Sequence, residues 1–86
     1  MEWIGDIYWD PEVEAKLRQK HQLTPAQVFD AVGLGAQEQE SWHTDERYGE
    51  RLLAIGSDDQ GRMIVYLRPG LDEGSGQWDG LTAWRL

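Results

Sequence analysis

The chain has 86 residues, with 16 Asp and Glu against 8 Lys and Arg, and its formal net charge is −8. A chain of this length has a modest hydrophobic core, which excludes a multidomain enzyme or a long repeat array. It contains no apolar run near the ~20 residues of a membrane-spanning helix, and no signal-peptide pattern. Without cysteine there is no disulfide framework and no thiolate metal site, and we expect a cytoplasmic protein.

The net charge also limits the kind of partner. Nucleic-acid binding depends largely on the neutralisation of phosphates by Lys and Arg, so an acidic chain repels RNA and DNA as a whole. A function on nucleic acid therefore requires a local basic site. The sequence has one block of positive charge, formed by Lys16, Arg18 and Lys20.

The N-terminal part predicts a strand followed by a helix. Residues 3–9 are rich in aromatic and β-branched side chains, as strands are. Asp10 and Pro11 follow, and these residue types favour the N-cap and the first turn of a helix. We predict that this helix spans residues 11–21.

A second helix is predicted immediately afterwards. Thr24 is a good N-cap residue, Pro25 suits the first helical position, and Gln27 completes a capping box. The helix is expected to end near Gly33, because glycine favours helix C-termini. The sequence thus predicts two short helices in tandem.

From residue 38 onward the hydrophobic period changes to two, which indicates strands. We predict strands over residues 51–57 and 62–67 joined by a hairpin at 58–61, then a mobile, acidic, glycine-rich loop over 69–80 and a closing strand over 81–86. The sequence does not decide whether residues 40–43 form a further short strand. The predicted fold is α+β, in the order β-α-α-β-β-β, with both helices packed on one face of a mostly antiparallel sheet within a single domain, residues 1–86.

Five tryptophans are many for this length. Trp3, Trp9 and Trp84 are predicted to lie in the core, where aromatic side chains supply bulk. Trp42 and Trp78 lie in polar or loop contexts, so the sequence does not decide whether they lie in the core or on a surface that binds a partner.

A set of short motifs, in order, resembles the BrnT family of type II toxins. The family pattern has a WDP opening, a KH helix end, a DERYGE turn before AIG, a GR hairpin and a final ISAR strand. The corresponding segments here are IYWDP at 7–11, LRQKH at 17–21, LTPAQVF at 23–29, DERYGER at 45–51, LAIG at 53–56 and GRMIVY at 61–66. The resemblance covers residues 7–68, with a looser match at 81–85.

The resemblance implies a RelE-like fold and a metal-independent endoribonuclease. Such a toxin aligns the 2′-hydroxyl of RNA with the adjacent phosphorus, and the protein moves protons and stabilises the developing charge. The resemblance also implies a protein antitoxin as partner. Because of the net charge, we expect the RNA to be presented by a larger machine such as the ribosome. No metal, cofactor or membrane partner is expected.

Two groups of residues form the predicted site. The catalytic candidates, assigned with the help of the resemblance, are His21, Lys20, Arg47, Arg68 and Arg85. The RNA-binding candidates are Lys16, Arg51, Arg62 and Tyr66. If the chain is an enzyme, we expect Lys20, His21, Arg68 and Arg85 to converge in one patch.

Each candidate also has a structural interpretation. His21 can bond to the last carbonyls of its helix, Arg47 can be a solvated turn residue, and the other arginines can form surface ion pairs. Tyr66 and Tyr48 can stack on a base or be half-buried sheet aromatics. The acidic pairs at 45–46, 58–59 and 72–73 are interpreted as turn formers, and His43 as an isolated histidine without metal-ligand company.

Three functions compete on this basis. The first is a BrnT-type ribonuclease toxin. The second is a non-catalytic acidic interaction module, which binds a basic partner, inhibits it or mimics a nucleic acid. The third is an accessory protein of an operon or phage, which the sequence does not separate from the second.

Overall fold

Two helices and five strands make up the chain in a computed structural model that describes residues 1–47, 49–72 and 74–86. In chain order they are β1 (Asp6–Tyr8), α1 (Pro11–His21), α2 (Pro25–Val32), β2 (Gln39–Asp45), β3 (Gly49–Asp58), β4 (Gly61–Pro69) and β5 (Gln77–Arg85). Tyr48, one of the stacking candidates, and Glu73, in the third acidic pair, lie outside the described residues. No helix in the described part of the chain is both long and apolar enough to cross a membrane.

Both helices begin where the sequence predicts. The Asp10 side chain accepts a hydrogen bond of 3.0 Å from the Glu12 backbone N–H at the start of α1. In α2, Thr24 and Gln27 form the reciprocal capping box, with bonds of 3.2 and 2.8 Å. These bonds satisfy backbone donors that have no partner inside a helix. The predicted helix over residues 11–21 is confirmed at both ends.

The five strands form one sheet in the order β1-β5-β4-β3-β2, antiparallel except where β1 pairs parallel with β5. The predicted α+β class is confirmed, and the strand left open at 40–43 is present as the longer β2. The first strand is shorter than predicted, since only Asp6–Tyr8 pairs with β5. The loop before β5 is also shorter than the predicted 69–80, because the sheet already includes Pro69 and Gln77.

One face of this sheet carries the core. Its buried side chains come from alternate positions of β3, β4 and β5, among them Leu52, Val65 and Ala83. From the helices, Val28 and Val32 of α2 and Leu17 of α1 pack in the same cluster. Each such aliphatic side chain contributes about 1.5–3 kcal/mol when it is fully buried. We call this side of the sheet the helix-covered face.

The backbones of α2 and β3 touch at Gly56. A Cβ atom built at Gly56 would lie 1.9 Å from the carbonyl oxygen of Ala31, a separation that no side chain tolerates. This oxygen belongs to the helix backbone rather than to the end of a flexible side chain, so α2 would have to move as a unit. Glycine at this position therefore sets how closely α2 lies on the sheet.

We expect Gly56→Ala to lower the free energy of unfolding by about 1–3 kcal/mol or more, as overpacking does in a well-packed core. Urea denaturation followed by circular dichroism measures the change. Gln60→Ala, in the exposed turn that follows β3, is the control and should be nearly neutral. An unchanged midpoint for Gly56→Ala would show that α2 is not held at this distance.

Candidate functional site

The sheet face opposite the helix-covered face carries partly exposed apolar and aromatic side chains. The pairing register places Leu53 opposite Tyr66 and Ile55 opposite Ile64, with Trp84 next to Ile64 on β5. All five are partly exposed. We call this side the open face. The sequence predicts it in part, because Arg62, Ile64, Tyr66 and Arg68 alternate along one strand.

Four aromatic rings form a row across the open face. The ring centroids of His43 and Tyr66 are 6.1 Å apart in an edge-on arrangement, and those of Tyr66 and Trp84 are 5.8 Å apart. His21, at the end of α1, follows at 6.3 Å from Trp84. The row joins side chains of β2, β4, β5 and α1 that lie far apart in the sequence.

Arg51 lies over the middle of this row. Its guanidinium carbon is 5.3 Å from the centre of the Tyr66 ring, within the range of a cation–π contact. The same guanidinium lies 3.7 Å from the Asp45 carboxylate. Arg51, a predicted RNA-binding residue, thus holds a positive charge against the exposed aromatic surface.

A small basic pocket adjoins the row at its α1 end. It has a volume of about 260 Å³, and its polar side chains are Lys16, Lys20, His21 and Thr82. Positions 13, 16, 17, 20 and 21 of the helix face β5 together, as expected for a stripe of spacing 3.6. This stripe explains why Lys20 and His21 line one cavity although they are adjacent in the sequence. We call this cavity the basic pocket.

Arg62 and Arg68 lie on the open face but outside the basic pocket. Arg68 is 3.7 Å from Asp79, and Arg62 is 3.9 Å from Glu38. Both guanidinium groups are about half exposed, and ion pairs of this kind contribute about 0–1 kcal/mol. A phosphate could therefore replace either carboxylate at low cost.

Arg85 does not join the other catalytic candidates. It donates two hydrogen bonds, of 2.8 and 2.7 Å, to the Asp58 carboxylate, whose side chain is 3% exposed. The register places Arg85 opposite Met63, which is buried on the helix-covered face. The expected convergence of four residues is therefore not found. Arg85 instead fixes the end of β5 to the end of β3.

Arg47 lies in the turn between β2 and β3, where its backbone N–H donates to the Asp45 carboxylate at 2.7 Å. It does not line the basic pocket. The described residues include no group of three or more His, Asp or Glu side chains arranged to hold a metal ion.

Two residues of the aromatic row are not among the site residues that the sequence predicts. His43 ends the row, and its Nε2 lies 3.1 Å from the Ser41 hydroxyl. The prediction that Trp3 and Trp84 lie in the core is wrong, since Trp84 is partly exposed in the middle of the row and Trp3 is 58% exposed. The spacing of two residues between Thr82 and Trp84 predicts that both side chains lie on one face of the closing strand. It does not predict which face of the sheet the helices cover.

The site is thus a row of exposed rings that leads into a pocket with two lysines and a histidine. No protein-family model matches the chain, and neither a curated protein nor a solved structure matches it. The resemblance to the BrnT family therefore stays a prediction.

The ion pair of Arg85 predicts a pH dependence of stability. The hydrogen bonds from Arg85 lower the pKa of Asp58 to about 2, well below the ordinary value of about 3.9. Because the folded-state pKa is depressed, the stabilisation is complete above about pH 4 and is lost as the pH falls towards 2. We expect Asp58→Asn to be less stable than the wild type at pH 7, with a difference that shrinks between pH 4 and pH 2.

Urea denaturation at a series of pH values measures this difference, with Asp30→Asn, at an exposed residue of α2, as control. If the difference in free energy of unfolding between the wild type and Asp58→Asn stayed constant from pH 4 to pH 2, this would contradict the assigned ion pair.

Proposed function

We propose that this chain is a ribonuclease toxin of the BrnT type with a RelE-like fold, which binds single-stranded RNA on the open face and cleaves it at the basic pocket. The observation that carries the proposal is the continuity of the aromatic row with that pocket. Stacking rings provide affinity for RNA bases without regard to sequence, and adjacent cations provide affinity for phosphate.

Binding would begin with two bases stacked on Tyr66 and Trp84. Stacking of one base on an aromatic side chain contributes about 1–3 kcal/mol. Arg51, above Tyr66, and Arg68, on the same strand, are positioned to contact the RNA backbone. Arg47 and Arg62 are more distant contacts at the ends of the sheet.

Cleavage would take place where the RNA backbone enters the basic pocket. His21 accepts the proton of the 2′-hydroxyl, and the 2′-oxygen attacks the adjacent phosphorus. Lys16 and Lys20 stabilise the added negative charge of the phosphorane, and Lys20 donates a proton to the 5′-oxygen as the P–O5′ bond breaks. The products are a 2′,3′-cyclic phosphate and a 5′-hydroxyl, and proton exchange with water restores both side chains. No metal takes part.

The net charge of −8 sets the expected conditions for this activity. The acidic shell repels free RNA, so we expect weak, salt-dependent binding unless a larger machine such as the ribosome presents the strand in the cytoplasm. The partly exposed Leu53, Ile55 and Ile64 extend the open face beyond the rings. A protein antitoxin that covers these side chains would exclude RNA from the same surface.

The cleavage step is tested with a purified protein and a short single-stranded RNA. We expect products with a 2′,3′-cyclic phosphate, and a loss of rate of about 10²–10⁴-fold in His21→Ala, because a general base is removed. An oligonucleotide with 2′-deoxy sugars should bind but stay intact. Arg18→Gln, which removes a charge that pairs with Glu14 on α1 outside the pocket, is the matched control.

Intact RNA with the wild-type protein, free or on ribosomes, together with normal bacterial growth on expression, would overturn the proposal.

The binding step is tested separately by fluorescence anisotropy with a labelled, uncleavable oligonucleotide. We expect Tyr66→Leu to weaken binding by about 5–100-fold, since leucine keeps the apolar surface but loses the stacking face. Trp42→Leu, at an exposed aromatic residue of β2 on the helix-covered side of the sheet, should bind like the wild type. Equal affinities of the wild type and Tyr66→Leu for the oligonucleotide would contradict stacking on Tyr66 and indicate that RNA binds outside the aromatic row.

One observation favours the second function, a non-catalytic acidic interaction module. Three arginines of the open face, Arg51, Arg62 and Arg68, each lie within 4 Å of a carboxylate, so much of their charge is already neutralised. In that case the open face would bind a basic or apolar partner protein, and the lysines and histidine of the basic pocket would be dispensable. Unchanged partner binding in His21→Ala, with no RNA cleavage, is the result expected for this alternative.

A further inference from the structure

A second cavity lies on the other side of the sheet from the open face. It has a volume of about 430 Å³, within the range of small-molecule sites, and its aromatic walls are Trp3, Trp42 and Trp78. Trp42 pairs with Leu52, whose side chain is buried on the helix-covered face, so the cavity is separate from the aromatic row. We call this cavity the tryptophan cleft.

Two of its walls are adjacent indole rings. The centroids of Trp42 and Trp78 are 5.8 Å apart with an interplanar angle of 39°, so that the rings form a wedge rather than a stack. Trp78 is 6% exposed, whereas Trp42 is 44% exposed at the edge of the sheet. The indole N–H of Trp78 donates to the backbone oxygen of Trp3 at 3.0 Å, so this N–H is not available to a ligand.

The third wall is held by backbone. Trp3 is 58% exposed, yet its ring lies against two glycines: a Cβ at Gly76 would be 2.9 Å from the ring and a Cβ at Gly5 would be 3.2 Å from it. Gly76 has a φ of +86°, and its carbonyl accepts backbone hydrogen bonds from Gly5 and Asp6 at 2.8 and 3.0 Å. The exposed ring of Trp3 is thus positioned by this contact between the N-terminal segment and the loop before β5.

The charged side chains of the tryptophan cleft are acidic, and the N-terminal ammonium of Met1, which also lines the cleft, lies 3.8 Å from the Glu40 carboxylate. Glu2 and Glu50 line the cleft, and both are exposed. Glu40 lies on the same face of β2 as Trp42, two residues earlier, with a carboxylate that accepts from the Glu2 backbone N–H at 2.6 Å. The ammonium of Met1 offsets the charge of Glu40, and Glu2 and Glu50 leave an excess of negative charge. Indole faces and carboxylates both attract positive charge, so this cleft favours a cation.

We propose that the tryptophan cleft binds a quaternary ammonium group. Such a cation is attracted by the carboxylates through its charge, and its methyl groups give apolar contact with the indole faces. A volume of about 430 Å³ is sufficient for a trimethylammonium group with a short chain, such as choline or the side chain of trimethyllysine. The carboxylates at the rim would favour ligands without a negative charge of their own.

The test uses the indole N–H signals of the ¹⁵N-labelled full chain in two-dimensional NMR, with tetramethylammonium, choline and the amide of trimethyllysine as probes. We expect the signals of Trp3, Trp42 and Trp78 to shift in a saturable way, while that of Trp9, which packs on Gly80, does not. The uncharged isostere 3,3-dimethylbutan-1-ol should bind at least about tenfold more weakly than choline. Binding of choline but not of trimethyllysine amide would identify a free small molecule as the ligand, and the reverse a modified side chain.

Variants separate the proposal from non-specific binding. Trp42→Leu should weaken choline binding by about tenfold or more, and Glu50→Gln by a few fold with less dependence on salt. Tyr8→Leu, which removes an exposed aromatic ring outside the cleft, should leave the affinity unchanged. Because Trp42 lies on the edge strand and is partly exposed, Trp42→Phe provides a milder variant with an intermediate affinity, and circular dichroism verifies folding.

Equal binding of choline and its uncharged isostere, or no shift of the Trp3 and Trp42 signals at millimolar choline, would overturn the proposal. Neither outcome depends on RNA, so the proposed ribonuclease activity and this site can fail independently.

Discussion

The close contact between α2 and β3 determines which face of the sheet is covered and which face stays accessible to ligands. At Gly56 the helix backbone approaches the sheet so closely that not even a methyl group fits. A similar approach occurs at Gly80, where a Cβ would lie 2.5 Å from the Trp9 ring. Both contacts are on the helix-covered face. Because α2 packs on this face, the apolar side chains on the opposite side of the sheet stay partly exposed.

The uneven charge distribution follows from the same arrangement. On the helix-covered face, Arg85 is bound to the nearly buried Asp58, an ion pair whose disruption would leave a charge without its partner. On the open face, the arginines meet carboxylates at 3.7–3.9 Å in partly exposed positions, where ion pairs are weak. Arginine thus has two roles in this acidic chain. Arg85 holds two strands of the sheet together, whereas the arginines of the open face keep positive charge at a surface that a ligand can reach.

The two proposed sites use aromatic rings in opposite electrostatic settings. On the open face, rings adjoin Lys16, Lys20 and Arg51, so the combination favours an anionic ligand with flat bases. In the tryptophan cleft, rings adjoin Glu2 and Glu50, so the combination favours a cation. Ring geometry is similar in the two sites, with neighbouring centroids about 6 Å apart. The neighbouring charges, rather than the rings, distinguish the ligands that we propose.

Local signals in the sequence are sufficient to predict the helices and most of the strands. Asp10 and the capping box of Thr24 and Gln27 act within four residues, so their effect does not depend on the rest of the chain. The hairpin at 58–61 and the alternation along β4 are local for the same reason. The early start of β5 could not be predicted, because Gln77–Gly80 owe their strand conformation to pairing with β1 and β4 on either side.

The sequence by itself determined which residues are available for a site: the basic stretch of α1, the arginines and tyrosine of β4, and five tryptophans. Only the tertiary structure decided which of them meet. His43, Tyr66, Trp84 and His21 come from four separate elements, and their row depends on strand order and register, which long-range pairing sets. Arg85 was separated from the pocket for the same reason, since a shift of one residue along β5 exchanges the two faces of the sheet. Side-chain chemistry is local, whereas the face on which it is displayed is a property of the whole fold.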